Sequence, residues 1–336
     1  MRELILRALQ QERHVSGEQL GKRLNISRTA VWKHVNELRK KGYQINSSPK
    51  LGYSFIKSTD LLLPEEIGLG LETLVIGKRI LHHQEVTSTQ DVAEQLARGG
   101  ANEGTVVIAE MQTKGRGRKG RNWISPSDGG VYISIILRPN LLPSQIIQIP
   151  LIAAVAVSKA IQIATPLQPS IKWPNDIIIG GKKVAGILTE MSCETDGIHY
   201  VVLGIGVNVN TPRTLLATLT GGIADSLADE CGEPVSRVML VQYVLSEFES
   251  VYTQFLAFGF SSIREDWKRL NNTIGSWVKV SDGEEIVEGT AFDIDEGGFL
   301  LVRKENGDFE RIISGDVLVS NRDCQSLLTD DSNEKG

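Results

Sequence analysis

The 336-residue sequence predicts an α+β chain of three units: a winged helix-turn-helix over 1–60, a mixed α/β domain over 65–272 and a small β barrel over 273–322, with a tail at 323–336. Three observations carry this division. Residues 1–57 hold twelve Lys or Arg against Glu3, Glu12, Glu18 and Glu37, a local charge of +8, whereas the whole chain carries −5 and the other 279 residues therefore −13. From Glu65 to about Asn272, helical and strand patterns alternate with no repeat and no low-complexity stretch. Beyond Gly275, short apolar runs are punctuated by Asp282-Gly283, Gly297-Gly298 and Asn306-Gly307.

Composition removes several classes. The most apolar run, Ile146 to Ala164, is interrupted by Gln148, Pro150, Lys159 and Gln162, which rules out a membrane span on this reading. The N-terminal MRELILRALQQER is too charged for a secretory signal, so a cytoplasmic protein is expected. Cys193, Cys231 and Cys324 are far apart and odd in number, which suits neither a disulfide framework nor a C-x-x-C motif.

In the head, Leu4, Ile5, Ala8 and Leu9 recur at helical spacing over Arg2 to Gln11. Ser16 opens a second, short helix with a capping box closed by Gln19; Asn25 tolerates the turn that follows. Ser27 caps a third helix running to about Lys41, ended by Gly42. Val31, Val35 and Leu38 face inward, leaving Arg28, Thr29, Lys33 and Asn36 on the outer face of a helix that can enter a major groove. Tyr43 to Asn46 and Gly52 to Ile56 read as a β wing with Ser47, Ser48 and Pro49 at its tip and Lys50 available to phosphate. The competing reading is a three-helix packing domain with a basic exterior. Clustered charge and the long polar face of the third helix favour DNA.

In the central unit, Ser88 and Thr89 precede a helical run, Asp91 to Arg98, so hydroxyls and backbone N–H groups gather at its start; plain N-capping is the alternative. A β-branched strand, Thr105 to Ala109, then feeds Gln112 and the loop Gly115-Arg116-Gly117-Arg118-Lys119-Gly120-Arg121. Gly115, Gly117 and Gly120 formally satisfy G-x-G-x-x-G, but that fingerprint must open a helix, and here Trp123, Pro126 and Asp128-Gly129-Gly130 lead to another strand, Val131 to Leu137. Glycines that let the backbone fold around an anion, beside three guanidiniums and an ammonium, suit a polyphosphate or an adenylate. The alternative is a flexible basic loop for nucleic acid or solvent. No G-x-x-x-x-G-K-[ST] and no catalytic-loop H-R-D is present.

Ile171 to Trp173 reads as a strand, Pro174-Asn175-Asp176 as a turn, and Ile177 to Ile179 as a strand returning through Gly180-Gly181 to Val184 through Glu190. Simple alternation puts Lys183 on one face with Ala185, Ile187 and Thr189, and Lys182 on the other, so a single ammonium is aimed at a pocket; alternatively either lysine decorates a hairpin edge. HYVVLGIGVNVN is a buried strand ending in Asn208 and Asn210, with Gly204 and Gly206 allowing close approach. The five histidines, His14, His34, His82, His83 and His199, form no H-E-x-x-H or triad pattern, and His82-His83 reads as structural or solvated rather than a metal site. Four strands are expected at the end: Ser276 to Ser281, Val287 to Ile294, Phe299 to Arg303 and Phe309 to Ile313. Six Lys or Arg stand against fifteen Asp or Glu from Gly275 onward, which argues against nucleic acid there, and the tail from Asp330 is expected to be disordered.

These residues together resemble the biotin protein ligase family, specifically its bifunctional members that also repress the biotin operon. The resemblance covers nearly the whole chain. Its carriers are Ser27-Arg28-Thr29-Ala30-Val31-Trp32-Lys33-His34, Ser88-Thr89, Gln112 with Gly115-Arg116-Gly117-Arg118, Trp123, Lys172-Trp173-Pro174-Asn175-Asp176, Lys183 to Gly186, and Gly204 to Asn208. Gln90 stands where the family often has Asn, keeping the amide at longer reach.

The resemblance implies a class II synthetase-like ligase domain in the centre and an SH3-like C-terminal domain. It implies a biotin pocket of Ser88, Thr89, Gln90, Gln112, Arg116, Gly117, Arg118 and Lys183, with Lys183, Arg118 and Arg116 in the catalytic role. The nucleotide would meet Gly115, Arg118, Arg121, Trp123, Asn175, Asp176, Lys183 and Asn208, with no resident metal site. The DNA-binding residues would be Ser27, Arg28, Thr29, Trp32, Lys33, Asn36 and Lys50. Biotin and ATP with Mg²⁺ would give biotinyl-5′-AMP, both intermediate and corepressor. The expected partners are the biotin carboxyl carrier protein of acetyl-CoA carboxylase, operator DNA of biotin genes and a second copy of the chain when ligand is bound, with no membrane. Two rival functions remain at this point, a ligand-sensing repressor without catalysis and a lipoate ligase of related fold.

Overall fold

The computed structural model describes residues 1–57, 61–194, 197–282 and 285–320. The head comprises α1 (Arg2–Gln11), α2 (Gly17–Leu24), α3 (Arg28–Lys40) and the hairpin of β1 (Gln44–Ser48) and β2 (Gly52–Lys57). Ser16 Oγ accepts from the Gln19 N–H while the Ser16 N–H donates to the Gln19 side chain. Asn25 ends α2 at φ 52°, and Ser27 Oγ accepts from the Ala30 N–H to start α3. Each such cap is worth about 1 kcal/mol, so the turn is fixed by its own helix ends. Val31, Val35 and Leu38 pack with Ile5, Leu9 and Leu20. Leu4, expected inside, is exposed, and Leu6 is buried instead, because α1 lies between α3 and the next helix and its apolar stripe turns toward both.

That next helix, α4 (Pro64–Leu69), joins the head to the body. Its buried Glu65 accepts from Lys41 at 3.0 Å and pairs with Arg2 at 2.6 Å, while Gln242 Nε2 donates to the carbonyls of Glu66 and Ile67.

The body is a seven-stranded sheet. Its elements are β3 (Arg79–Val86), α5 (Thr89–Arg98), β4 (Thr105–Gln112), β5 (Gly130–Leu137), α6 (Gln148–Ala164), β6 (Ser170–Lys172), β7 (Asp176–Ile179), β8 (Lys182–Glu194), β9 (Gly197–Asn208), α7 (Arg213–Thr220), α8 (Leu227–Cys231), α9 (Arg237–Phe258) and α10 (Ser261–Leu270). The strand order is β3-β4-β5-β9-β8-β7-β6, with β3 and β4 parallel and every other pair antiparallel. One face, with Val106, Ile108, Ile133, Ile135, Ala185, Ile187, Ile205 and Val207, is covered by α6 and α9. On the other, α5 packs on Val107, Ile136, Tyr200 and Val202. The rest of that face is open, and the cavity described below lies on it.

The segment Pro143–Ala164 is long and apolar enough to cross a membrane despite the polar interruptions noted in the sequence. Burial identifies it: α6 is the core helix, with residues such as Leu151, Ile152, Val155 and Val157 packed between the sheet and α9.

The C-terminal unit contains β10 (Trp277–Asp282), β11 (Glu285–Ile294), β12 (Leu300–Arg303), β13 (Phe309–Ile312) and β14 (Asp316–Ser320), in the order β13-β12-β11-β10-β14. The sequence reading missed β14, whose run D-V-L-V-S pairs antiparallel with the distant β10. Gly283 of the expected turn and the tail from Asp330 lie outside the described residues. The unit docks on the body through one apolar cluster, and Trp173 Nε1 donates to the Gly298 carbonyl at 3.1 Å.

Candidate active site

A cavity of about 1090 Å³ opens on the uncovered face of the sheet. A vitamin and a nucleotide together fit a space of this size, at the upper end for ligand sites. Ser88, Thr89, Gln90, Gln112, Arg116, Gly117, Arg118, Arg121, Trp123, Asn175, Asp176, Lys183 and Asn208 all line it. Gly115 alone of the expected ligand residues is not part of its wall. It lies behind the loop, where its carbonyl accepts from the Trp123 N–H at 2.8 Å and a Cβ would come 2.3 Å from the Trp123 carbonyl.

The floor is a polar network. Ser88 caps α5, its Oγ accepting from the Gln90 N–H. Gln112 Oε1 accepts from the Thr89 N–H at 2.8 Å and the Thr89 hydroxyl at 3.1 Å, and its Nε2 donates to Ser125 Oγ at 2.8 Å. N-capping is therefore present, but so is a polar cavity-facing group: the same helix start both satisfies its own orphan donors and fixes Gln112.

The loop after β4 makes one turn of 3-10 helix, Arg118–Gly120, then leads to β5 as a loop rather than a Rossmann helix. Arg116 pairs with Glu190 at 2.7 Å and Asp91 at 3.2 Å. Arg118 donates to Asn175 Oδ1 at 3.2 Å and the Gly315 carbonyl at 3.4 Å. Burial pulls the Arg118 guanidinium below its usual range, against the pull of Asp316 and Asp176. Lys119 pairs with Asp282 and Arg121 with Asp316, so the acidic C-terminal unit holds the outer half of the loop.

Lys183 reaches the cavity by a route that the alternation argument did not foresee. Between Ile177↔Ala185 and Ile178↔Lys183 the register slips, leaving Val184 as an extra residue. This bulge turns Lys183 away from the core face of Ala185 and Ile187, correcting the shared face expected above, and brings it beside Gly186 on the open face. Its Nζ lies 2.6 Å from Asp176 Oδ1 and 5.3 Å from the centroid of the Trp123 ring. Lys182 turns to the buried Asp225. The Trp123 indole lies flat against two strands: a Cβ on Gly206 would stand 2.5 Å from it and one on Gly186 2.9 Å. Asn208 is buried, its Nδ2 donating to the Asp225 carbonyl at 3.1 Å.

Sequence reasoning missed Glu190 and Ser134, which bond to Arg116, Gln90 and Thr89, and the wall where Leu216 and Leu219 of α7, with Ile223 just beyond it, border the cavity. Glu190 was findable, since it follows Gly186 and Leu188 at period two on the open face. It also missed a buried pair behind β4. Arg237 at the start of α9 donates to Glu110 Oε2 at 2.9 Å, whose other oxygen meets His82 Nε2 at 2.9 Å and the Leu62 N–H at 2.7 Å. Burial alone would raise the Glu110 carboxyl, but His82, the Leu62 N–H and Arg237 together hold it below its ordinary value. His82 thus belongs to a structural network.

On the head, Arg28, Thr29 and Lys33 are exposed along α3, Trp32 is 56% exposed, and Lys50 stands at the wing tip. Ser27 is the cap itself. Asn36 is half-buried and its Oδ1 accepts from Arg39 at 3.2 Å.

Residues 82–208 match the Biotin/lipoate A/B protein ligase family, residues 2–54 an HTH domain, and residues 273–320 the Biotin protein ligase C terminal domain. The chain is 41% identical over 303 residues to the Bifunctional ligase/repressor BirA of Bacillus subtilis, covering 90% of this chain and 93% of the relative. It is 30% identical to the protein of the same name from Escherichia coli, covering 86% and 88%. The biotin protein ligase of Aquifex aeolicus solved with biotin and ATP superimposes with a TM-score of 0.61 at 31% identity, covering 72% of this chain and 99% of that one.

Proposed function

The chain belongs to the family of bifunctional biotin protein ligases and repressors, and we propose that the cavity joins biotin to ATP and that the head applies the product as a signal on operator DNA. The protein is a biotin ligase with a DNA-binding domain. The observation that carries the site assignment is the convergence of Lys183, Arg116, Arg118 and the Thr89–Gln112 floor on one cavity. In this reading Ser88, Thr89 and Gln112 bind the ureido end of biotin, with Gln90 beneath. Lys183 and Arg118 hold its carboxylate against the α-phosphate, Arg121 and Asn175 meet the phosphates, and Trp123 walls the junction.

A biotin carboxylate oxygen attacks the α-phosphorus and pyrophosphate departs, giving biotinyl-5′-AMP. Fixed cations aimed at the charge that develops there are usually the largest catalytic contribution, and they need no reorganisation during the step. The amine of an acceptor lysine then attacks the mixed-anhydride carbonyl and AMP leaves, so the enzyme supplies no nucleophile. Asp176 and the Asn175 amide oxygen, beside the phosphate side of the cavity, are the oxygen donors that suit Mg²⁺ arriving with ATP, which would neutralise the leaving pyrophosphate.

The biotin carboxyl carrier protein of acetyl-CoA carboxylase is the acceptor in this account, in the cytoplasm. Operator DNA meets Arg28, Thr29, Trp32, Lys33, Asn36 and Lys50, with Ser27 ordering the helix start, and the adenylate-bound form binds as a dimer. Incubation with ATP, labelled biotin and the purified carrier domain should label one lysine of that domain. Operator binding should sharpen, with second-order dependence on protein, only when biotinyl-5′-AMP is present. Transfer without any change in operator binding would reject the corepressor half, and labelling by lipoate but not biotin would reject the substrate.

A further inference from the structure

We infer that Glu190 is a positioning residue that ties Arg116 of the glycine-rich loop to the cavity floor through Gln90. One carboxylate oxygen, Glu190 Oε2, accepts from both Gln90 Nε2 at 2.8 Å and Arg116 Nη2 at 2.7 Å. Gln90 is buried, and its amide is spent on the protein: Nε2 also reaches the Val202 carbonyl at 3.3 Å, and Oε1 accepts from Ser134 Oγ at 2.8 Å. Ser134 Oγ also lies 2.9 Å from Thr89 Oγ1, which donates to Gln112. The one Ser134 proton serves either Gln90 Oε1 or Thr89 Oγ1, so the relay proper runs from Gln90 through Glu190 to Arg116 of the loop, beside the Thr89–Gln112 pair.

The packing leaves this chain little freedom. A Cβ on Gly204 would stand 2.8 Å from Gln90 Oε1, so the amide is pressed between β9 and α5. Asp91 takes the other side of the Arg116 fork at 3.2 Å. The guanidinium is thus oriented before any ligand enters, in the fork geometry that carboxylate partners enforce. Gln90 spans both Ser134 and Glu190; an Asn there is one methylene shorter and would give up Glu190. The glutamine is the length that this relay needs.

This inference rests on the biotin site proposed above, and two readouts separate them. In ligand-free protein, trypsin cleavage between Arg116 and Arg121 reports the tether with no substrate present. Glu190→Gln and Gln90→Asn should each speed it by about tenfold, a charge-assisted link having been lost. In ATP–pyrophosphate exchange, each should raise the KM for biotin by about tenfold, and Glu190→Gln should leave kcat and the KM for ATP near wild type. The double variant should be no worse than either single one, because both break the same chain. Because Glu190 is 42% exposed, the melting temperature of Glu190→Gln should stay unchanged. Unchanged cleavage in Glu190→Gln, or additive KM effects, would overturn the positioning role. Faster cleavage in both variants without biotin-dependent exchange in wild type would keep the tether and instead overturn the substrate.

Discussion

Lys183 and Asp176 face each other across the β7–β8 turn, with Nζ 2.6 Å from Oδ1, and the bulge at Val184 is what puts them there. The ion pair holds the ammonium over Trp123. Replacing Lys183 by Met should cut exchange by about 10²–10³-fold, the effect of removing one preorganised donor. Circular dichroism melting should barely change, since the side chain is partly exposed. A rate near wild type would remove its catalytic role.

Gly206 is where the Trp123 indole rests on β9. Gly206→Ala introduces a methyl 2.5 Å from the ring. The indole must shift, and biotin affinity should fall by tenfold or more, about the 1–3 kcal/mol of an overpacked site. Tryptophan fluorescence titration with biotin reads this directly, and an unchanged titration would mean the cavity wall is not set by this contact.

Glu110 and Arg237 form a buried pair whose loss should be costly. Arg237→Met leaves the carboxylate without its cation and should destabilise by about 3–5 kcal/mol in urea unfolding. Because the folded state holds the Glu110 carboxyl below its ordinary value, its stabilisation is complete above the unfolded value of about 4.3 and fades as pH falls through the folded one. The stability gap between wild type and Glu110→Gln should therefore be full at neutral pH and close in acid. A gap independent of pH would contradict the assignment.

Lys33 lies on the exposed face of α3, away from the cavity. Lys33→Ala should weaken operator binding and lower the slope of log affinity against log salt by about one. Exchange should be unaffected. A changed exchange rate with an unchanged salt slope would argue that the head serves catalysis instead of DNA.

What was legible in the chain was local. Ser16, Gln19, Asn25 and Ser27 announce the helix-turn-helix because caps act within three residues. The Trp123, Pro126 and Asp128-Gly129-Gly130 series correctly denied the glycine loop a Rossmann helix. The bulge at Val184 was illegible because period-two counting assumes an unbroken ladder, and it reversed the face on which Lys183 stands. Arg237 is 127 residues from Glu110, and β14 pairs with a strand some forty residues earlier. No local pattern records either. Asp282 and Asp316 looked like mere acidic surface until the fold set them against Lys119 and Arg121.

Every catalytic role assigned above depends on one cavity activating biotin with ATP. The most direct test is incorporation of labelled pyrophosphate into ATP by the purified full-length chain with Mg²⁺, with and without biotin. Exchange should require biotin and fall by about 10²–10³-fold in Lys183→Met; no exchange with biotin, or equal exchange without it, would show that the cavity does not activate biotin.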